Sequence, residues 1–389
     1  MYFFSALDPN FRIKGSRDPL GFQSIWSGKG REVVAHLSTV SSSLVDFMIL
    51  AYAIHFQHDR DPRYFLNFFI KFEQACAFAR MLFNEAYSFN GTTFVGHNLQ
   101  ERADQNAFSC SLQSKDTILS NQRAYGIYGK YIRPFRDMGI AEDESFSRIM
   151  EEALKKTDKN QLLSIVERMN KNKEVVQTKD ELKIVADLIK RPTPDEKALY
   201  RKYILEVPHL DHCQKNLYQV LKNSEIPRHE FHLYSFIHAV QDHPKAENEL
   251  KGALGKIEDT ERILYPINQG FTYMLNTPYW DNQSIIDDPV LYGVQTTAQN
   301  GFPEDQTMQE LQDIFTLDKS EKIRQIVERN KKVCERRGSR AWIEQEPDGY
   351  KVLYGEKGQN IDRIDYEQDY GFPYFHPTYL SPFNQIESN

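Results

Sequence analysis

PRYFLNFFIKFEQACAFARMLFNEAYS, Pro62–Ser88, carries apolar residues on most faces of a helix. A helix that is apolar all round is a buried one. The stretch therefore predicts a central helix, opened by Asp61-Pro62, with a mainly α body packed around it. Upstream, HLSTVSSSLVDFMILAYAIHF (His36–Phe56) begins with a serine cluster suited to capping a helix and continues as a second buried helix. Its most apolar part, Leu44–Ile54, is far shorter than a membrane span.

Further upstream lies FRIKGSRDPLGFQSIWSGKGR (Phe11–Arg31), with four glycines and the cations Arg12, Lys14, Arg17, Lys29 and Arg31. Glycine lets a ligand approach the main chain closely. The stretch reads as a basic loop against a helix N-terminus, fit to hold an anion or a phosphate backbone. The competing structural reading is an irregular arm anchored by Trp26. It is not a P-loop, because Gly28-Lys29-Gly30 lacks the following hydroxyl.

Downstream of the central helix, Asn90–Lys115 reads as loop with a short strand at Thr92–Val95. DTILSNQRAYGIYGKYIRPFRDMGI (Asp116–Ile140) then gives short helix, tight turn, short helix. That pattern fits a winged helix-turn-helix-like unit, with Arg123, Lys130, Arg133 and Arg136 on phosphates; an ordinary helical packing unit fits it too. From Glu142 the texture becomes amphipathic. Helices are expected over Glu144–Lys156, Lys159–Asn172, Lys179–Lys190, Pro194–Leu205, Asp211–Lys222 and Glu230–Val240. Thr193-Pro194-Asp195-Glu196 is a helix-start signature. Ala246–Leu275 reads as a long helix or a pair broken at Pro266. Glu304–Phe315 and Lys319–Arg337 follow. Between Asp318 and Arg340 nine Lys/Arg stand against four Asp/Glu. AWIEQ and YKVLYGE around Glu346-Pro347-Asp348-Gly349 predict a small C-terminal β-hairpin. From Ala341 on, nine acids stand against three bases, and the aromatic, proline-rich FPYFHPTYLSPFNQI reads as a strap onto the body or into a partner. Three stretches result: 1–141, 142–276 and 277–389.

The chain has 389 residues and a net charge of −7, which excludes a protein basic all over but not local basic patches. Cys76, Cys110, Cys213 and Cys334 are scattered and read as reduced thiols. With no signal-peptide pattern at the start, a soluble cytoplasmic protein without membrane contact is expected.

Six of the eleven histidines fall between His209 and His243. His209, His212, His229 and His232 form two i, i+3 pairs that would suit zinc. Against this, HEFH is not H-E-x-x-H, and Pro227 puts the second pair at a helix junction. No cofactor is called for. Arg31 and His36 form an R-x-x-x-x-H pair resembling the signature of HEPN ribonucleases, in which they would bind phosphate and move a proton.

SNQRAYGIYGKYIRP (Ser120–Pro134), GSRAWIEQEPDGYKVLYG (Gly338–Gly355) and RIKGSRDPLGFQSIW (Arg12–Trp26) together resemble uncharacterised helical proteins of bacterial anti-phage defence or DNA-modification gene clusters. The resemblance covers about a fifth of the chain. It implies a subunit working beside an ATPase, helicase or nuclease on double-stranded DNA. The expected DNA contacts are Arg12, Lys14, Arg17, Arg123, Lys130 and Arg133, with a second patch at Arg324, Lys331, Lys332, Arg336 and Arg337. The alternatives are a HEPN-like, metal-independent ribonuclease and a pure protein scaffold whose strap, Tyr370–Asn389, holds a partner.

Overall fold

The computed structural model describes residues 18–37, 41–83, 106–119, 121–206, 212–222, 224–227, 232–354, 361–365, 367 and 380–387. These residues are mainly helical. In chain order the helices are Phe22–Val33 (α1), Leu44–Phe56 (α2), Phe65–Phe83 (α3), Gln122–Tyr125 (α4), Ile127–Asp137 (α5), Phe146–Ala153 (α6), Lys159–Lys171 (α7), Lys179–Ile189 (α8), Pro194–Tyr200 (α9), His212–Lys222 (α10), Leu233–Gln241 (α11), Asn248–Met274 (α12), Asn282–Asp287 (α13), Gln306–Asp313 (α14), Lys319–Arg336 (α15) and Ser381–Glu387 (α16). The strands are Ala107–Ser111 (β1), Glu174–Thr178 (β2), Tyr279–Asp281 (β3), Ile343–Glu346 (β4) and Gly349–Val352 (β5). Contacts divide the chain into two compact units whose bounds differ from the three stretches set out above. The first is Met1–Glu32 with Phe231–Phe375, the second Val33–Glu230 with His376–Asn389.

In the second unit α3 is central, and Phe68, Phe69, Phe72 and Phe78 are buried along it. It also buries polar side chains that tie neighbours down. Lys71 donates to the carbonyls of Met169 and Asn172, closing the end of α7. Gln74 exchanges two 2.9 Å hydrogen bonds with the backbone of Ser111. That contact seats β1, which pairs antiparallel with β2 from Ala107↔Thr178 to Ser111↔Glu174. This ladder lies where loop and short connections were expected. Capping boxes start α8 (Thr178 with Glu181) and α9 (Thr193 with Glu196), each cap being worth about 1 kcal/mol. Glu196 is fully buried and accepts from Lys156 at 2.9 Å and from the Tyr52 hydroxyl. Burial first, and then the Glu196 carboxylate, push the Tyr52 phenol well up.

α16 completes this unit. Leu380, Phe383 and Ile386 are buried. Gln385 accepts from the Leu44 amide at 2.7 Å and donates to Ser42 O at 2.9 Å. Glu387 accepts from Arg201 at 3.0 Å and from Tyr218 at 2.8 Å. The second half of the expected partner strap is therefore packed inside its own unit; residues 370–379 lie outside the described residues.

In the first unit, part of the expected glycine-rich loop is helical. α1 runs through Gly28 and Gly30, although glycine costs about 1 kcal/mol in a helix interior. Burial of Phe22 and Trp26, spaced i, i+4, outweighs it. Asp18 caps the start, accepting from the Phe22 amide at 2.8 Å and the Gln23 amide at 3.2 Å. Gly21, at φ 71, makes the bend between them. α12 is one unbroken helix through Pro266. Its burial from Ile257 to Phe271 offsets the roughly 3 kcal/mol that an interior proline costs. β4 and β5 pair antiparallel across Pro347-Asp348, and β3 adds to β5 on the other side, giving the order β3-β5-β4. Among the described residues no helix is long and apolar enough to cross a membrane.

Candidate nucleic-acid interface

The segment 121–137 places four cations, Arg123, Lys130, Arg133 and Arg136, against a single acid, Asp137. Its core side explains their direction. Ile127, Tyr131 and Phe135 fall on one face of α5 and are buried. Tyr131 meets Phe47 edge-on at 4.9 Å and accepts from the Ser43 amide at 3.0 Å, fixing α5 on the start of α2. With that face inward, Arg123, Arg133 and Arg136 are exposed and Lys130 is half-buried. Among the described residues only Arg133 has an ion-pair partner, Asp137 at 3.4 Å.

α4 and α5 meet closely, and two glycines allow it. A Cβ on Gly129 would stand 2.1 Å from Ala124 O, and one on Gly126 would stand 2.4 Å from Gln122 O and 2.6 Å from a Glu73 oxygen. Glu73 is the hidden centre of this unit. It is about 1 % exposed, on α3. Its Oε1 accepts from the Ile127 amide at 2.5 Å, at the N-terminus of α5, and its Oε2 from Gln122 Nε2 at 2.7 Å. Burial raises its carboxyl to about 7, against the opposing pull of those two hydrogen bonds. Glu73 stands with Lys71 and Gln74 in a mostly apolar helix, so only these polar residues within a buried helix hinted at a role.

This is not a winged helix on the described residues. No strand pair follows α5; a single turn, Ile140–Glu142, leads to α6. β1 precedes α4, and its partner β2 comes only after α7.

Beside α5 is a cavity of about 280 Å³ opening to solvent, lined by Phe65, Tyr128, Ile132, Phe135, Arg136 and Glu142 among others. Phe65 and Tyr128 are half-buried, with centroids 6.1 Å apart. Gly139, at φ 70, turns the chain so that Glu142 reaches the rim. None of these wall residues except Arg136 stood out in the sequence, because Phe65 read as part of a buried helix and Tyr128 as part of a turn.

The second expected patch is differently placed. Arg324 pairs with Glu321. Arg337 pairs with Asp18 at 3.0 Å and also donates to its carbonyl. Arg329 donates to Leu20 O at 2.8 Å and lies over the Phe22 ring at 5.2 Å. Lys322 is buried and donates to Val294 O at 2.9 Å. Lys332 stands 4.0 Å from Glu328. Lys331 and Arg336 are exposed. Much of the positive charge of α15 thus binds its own unit.

Of the remaining candidates, Arg12, Lys14 and Arg17 lie outside the described residues, as do His209 and His229. His212 opens α10 and His232 precedes α11. No group of three or more metal-ligating side chains occurs among the described residues. Arg31 is exposed in the last turn of α1, which ends at Val33, while His36 falls in the turn beyond it.

A further polar group surrounds Arg262 on α12. Arg262 donates to Glu258 and Glu367, each at 2.8 Å, and to Thr297, and lies over the Tyr234 ring. Asp259 accepts from the Gln299 amide at 3.0 Å and from Asn300 at 2.6 Å. These residues pair among themselves and brace residues 296–300 against α12. Compared with known proteins, the chain matches no family model, no curated protein and no solved structure.

Proposed function

We propose that this chain is a non-enzymatic, DNA-associated subunit of a multi-protein complex of the bacterial anti-phage or DNA-processing kind. The reading rests on one observation: a segment of seventeen residues, 121–137, carries three exposed cations and a half-buried fourth in a chain of net charge −7. Cations so placed bind phosphates without reading sequence and release counterions as they do so. The contacts are Arg123, Lys130, Arg133 and Arg136, and the partners are other protein subunits, an ATPase, helicase or nuclease among them. The unit acts as a phosphate-holding surface rather than as a groove-reading wing.

Fluorescence anisotropy of labelled duplex DNA, titrated at low and physiological salt, tests this. Binding should fall steeply with salt, and Arg123→Ala with Arg133→Ala should reduce the slope of log K against log salt by about 2. Undiminished binding by the double variant would remove this segment from the interface.

A further inference from the structure

The cavity beside α5 differs from the basic surface around it. Its walls are aromatic and aliphatic, its rim holds one cation and one carboxylate, and it opens on the helix that carries Lys130 and Arg133. Clefts for drug-sized ligands are commonly about 300–1,000 Å³. At about 280 Å³ this one suits a single flat ring system. Half-buried Phe65 and Tyr128 leave ring surface facing the cavity. Partly exposed rings next to outward cations are the arrangement by which proteins hold unpaired bases: the ring stacks on an aromatic side chain while the backbone follows the positive charge.

We infer that the Phe65–Tyr128 cavity holds one unpaired nucleobase of a single strand whose phosphates run along Arg136, Arg133 and Lys130. This rests on the nucleic-acid reading above and adds to it a base-binding site and a preference. Tyr128 and Phe65 supply the stacking surface. Arg136 at the rim takes the phosphate next to the bound base. Glu142 accepts a hydrogen bond from the base edge. A carboxylate pairs well with the cytosine N4 amino group, whereas thymine presents carbonyl oxygens on either side of its lone N–H. Cytosine is therefore favoured over thymine. The occupant is a strand rather than a protein side chain because Arg136, Arg133 and Lys130 follow one another at three-residue spacing round α5 from the cavity rim, as a phosphate chain requires and a single apolar side chain does not.

The test uses the full chain and three fluorescent single strands of equal length: all-cytosine, all-thymine, and a base-free chain with the same phosphates. Anisotropy at low salt should give the order cytosine, thymine, base-free, with about tenfold between first and last, the usual scale of one base–aromatic stack. Tyr128→Leu, confirmed folded by its circular dichroism melt, should bring the three together. Glu142→Gln, a surface change, should erase the cytosine-over-thymine preference, while the loss of its negative charge shifts the binding of all three strands in the same direction. Equal binding of all three strands by the natural chain, lost in the Arg123→Ala/Arg133→Ala variant, would overturn the base site and leave the phosphate surface standing. No binding of any strand, nor of duplex DNA, would overturn both. A cytosine preference that survives both Tyr128→Leu and Glu142→Gln would put the base elsewhere. Competition by free deoxycytidine monophosphate at the concentration the strand itself needs would make this a mononucleotide site and overturn the strand reading.

Discussion

Two segments of this chain are conspicuously basic, 121–137 and α15, and the structure uses them in opposite ways. In α15 and its C-cap, Arg329 and Arg337 hold residues 18–20, Lys322 is buried on a carbonyl, and Arg324 pairs within its own helix. In 121–137 the anchoring is done by Tyr131, Phe135 and the buried Glu73, so the cations remain outside. A count of charges ranks α15 first. What separates the segments is whether other groups already fix the helix, which leaves its cations available.

The sharpest way to break the comparison is through Glu73. Its carboxyl is raised from 4.5 to about 7 by burial. The unfolded chain gives up this proton near its ordinary value and the folded chain holds it longer. Stability should therefore fall as pH rises from about 4.5 to about 7, by about 3 kcal/mol in all, and level off above. Glu73→Gln, which stays neutral throughout, should lose this slope in urea unfolding at stepped pH. An unchanged slope would mean that Glu73 does not carry it. Next in size, Gly129→Ala drives a Cβ onto the Ala124 carbonyl and should cost about 2 kcal/mol by the same unfolding measurement.

In α15, Arg329→Met removes a hydrogen bond to Leu20 O while keeping an apolar stem over Phe22. It should cost about 1 kcal/mol of stability and leave duplex DNA binding unaltered. The smallest effect is expected of Lys331→Ala with Arg336→Ala. The salt slope of DNA binding should stay the same, in contrast to the drop of about 2 for Arg123 with Arg133. A comparable drop would make α15 a second interface and end the distinction.

Much of the helical layout was legible. Phe65–Phe83 is helical and buried because most of its faces are apolar, and Thr178 and Thr193 start helices for reasons visible in four residues. The misreadings share a cause, long-range packing overriding local signals. Gly28 and Gly30 signalled a loop, yet burial of Trp26 and of Phe22, which lies under Arg329 of α15, makes it helix. β1, AFSCS, is too short and too rich in serine to stand out, and exists because Gln74 and β2 receive it. Of the candidate interface, the cations could be read directly. The cavity and Glu73 could not, because half-buried aromatics look like ordinary core, and a polar cluster such as Lys71, Glu73 and Gln74 does not say what it holds, until their neighbours are known.

The docking of α16 has a consequence for synthesis. Leu44 and Ser42 meet Gln385 across more than three hundred intervening residues. While the chain is still emerging from the ribosome, the surface that Leu380, Phe383 and Ile386 will cover stays greasy and open. The second unit is thus exposed to chaperones, and to sticking, for nearly the whole time of its translation. Its closing step comes only when α16 arrives.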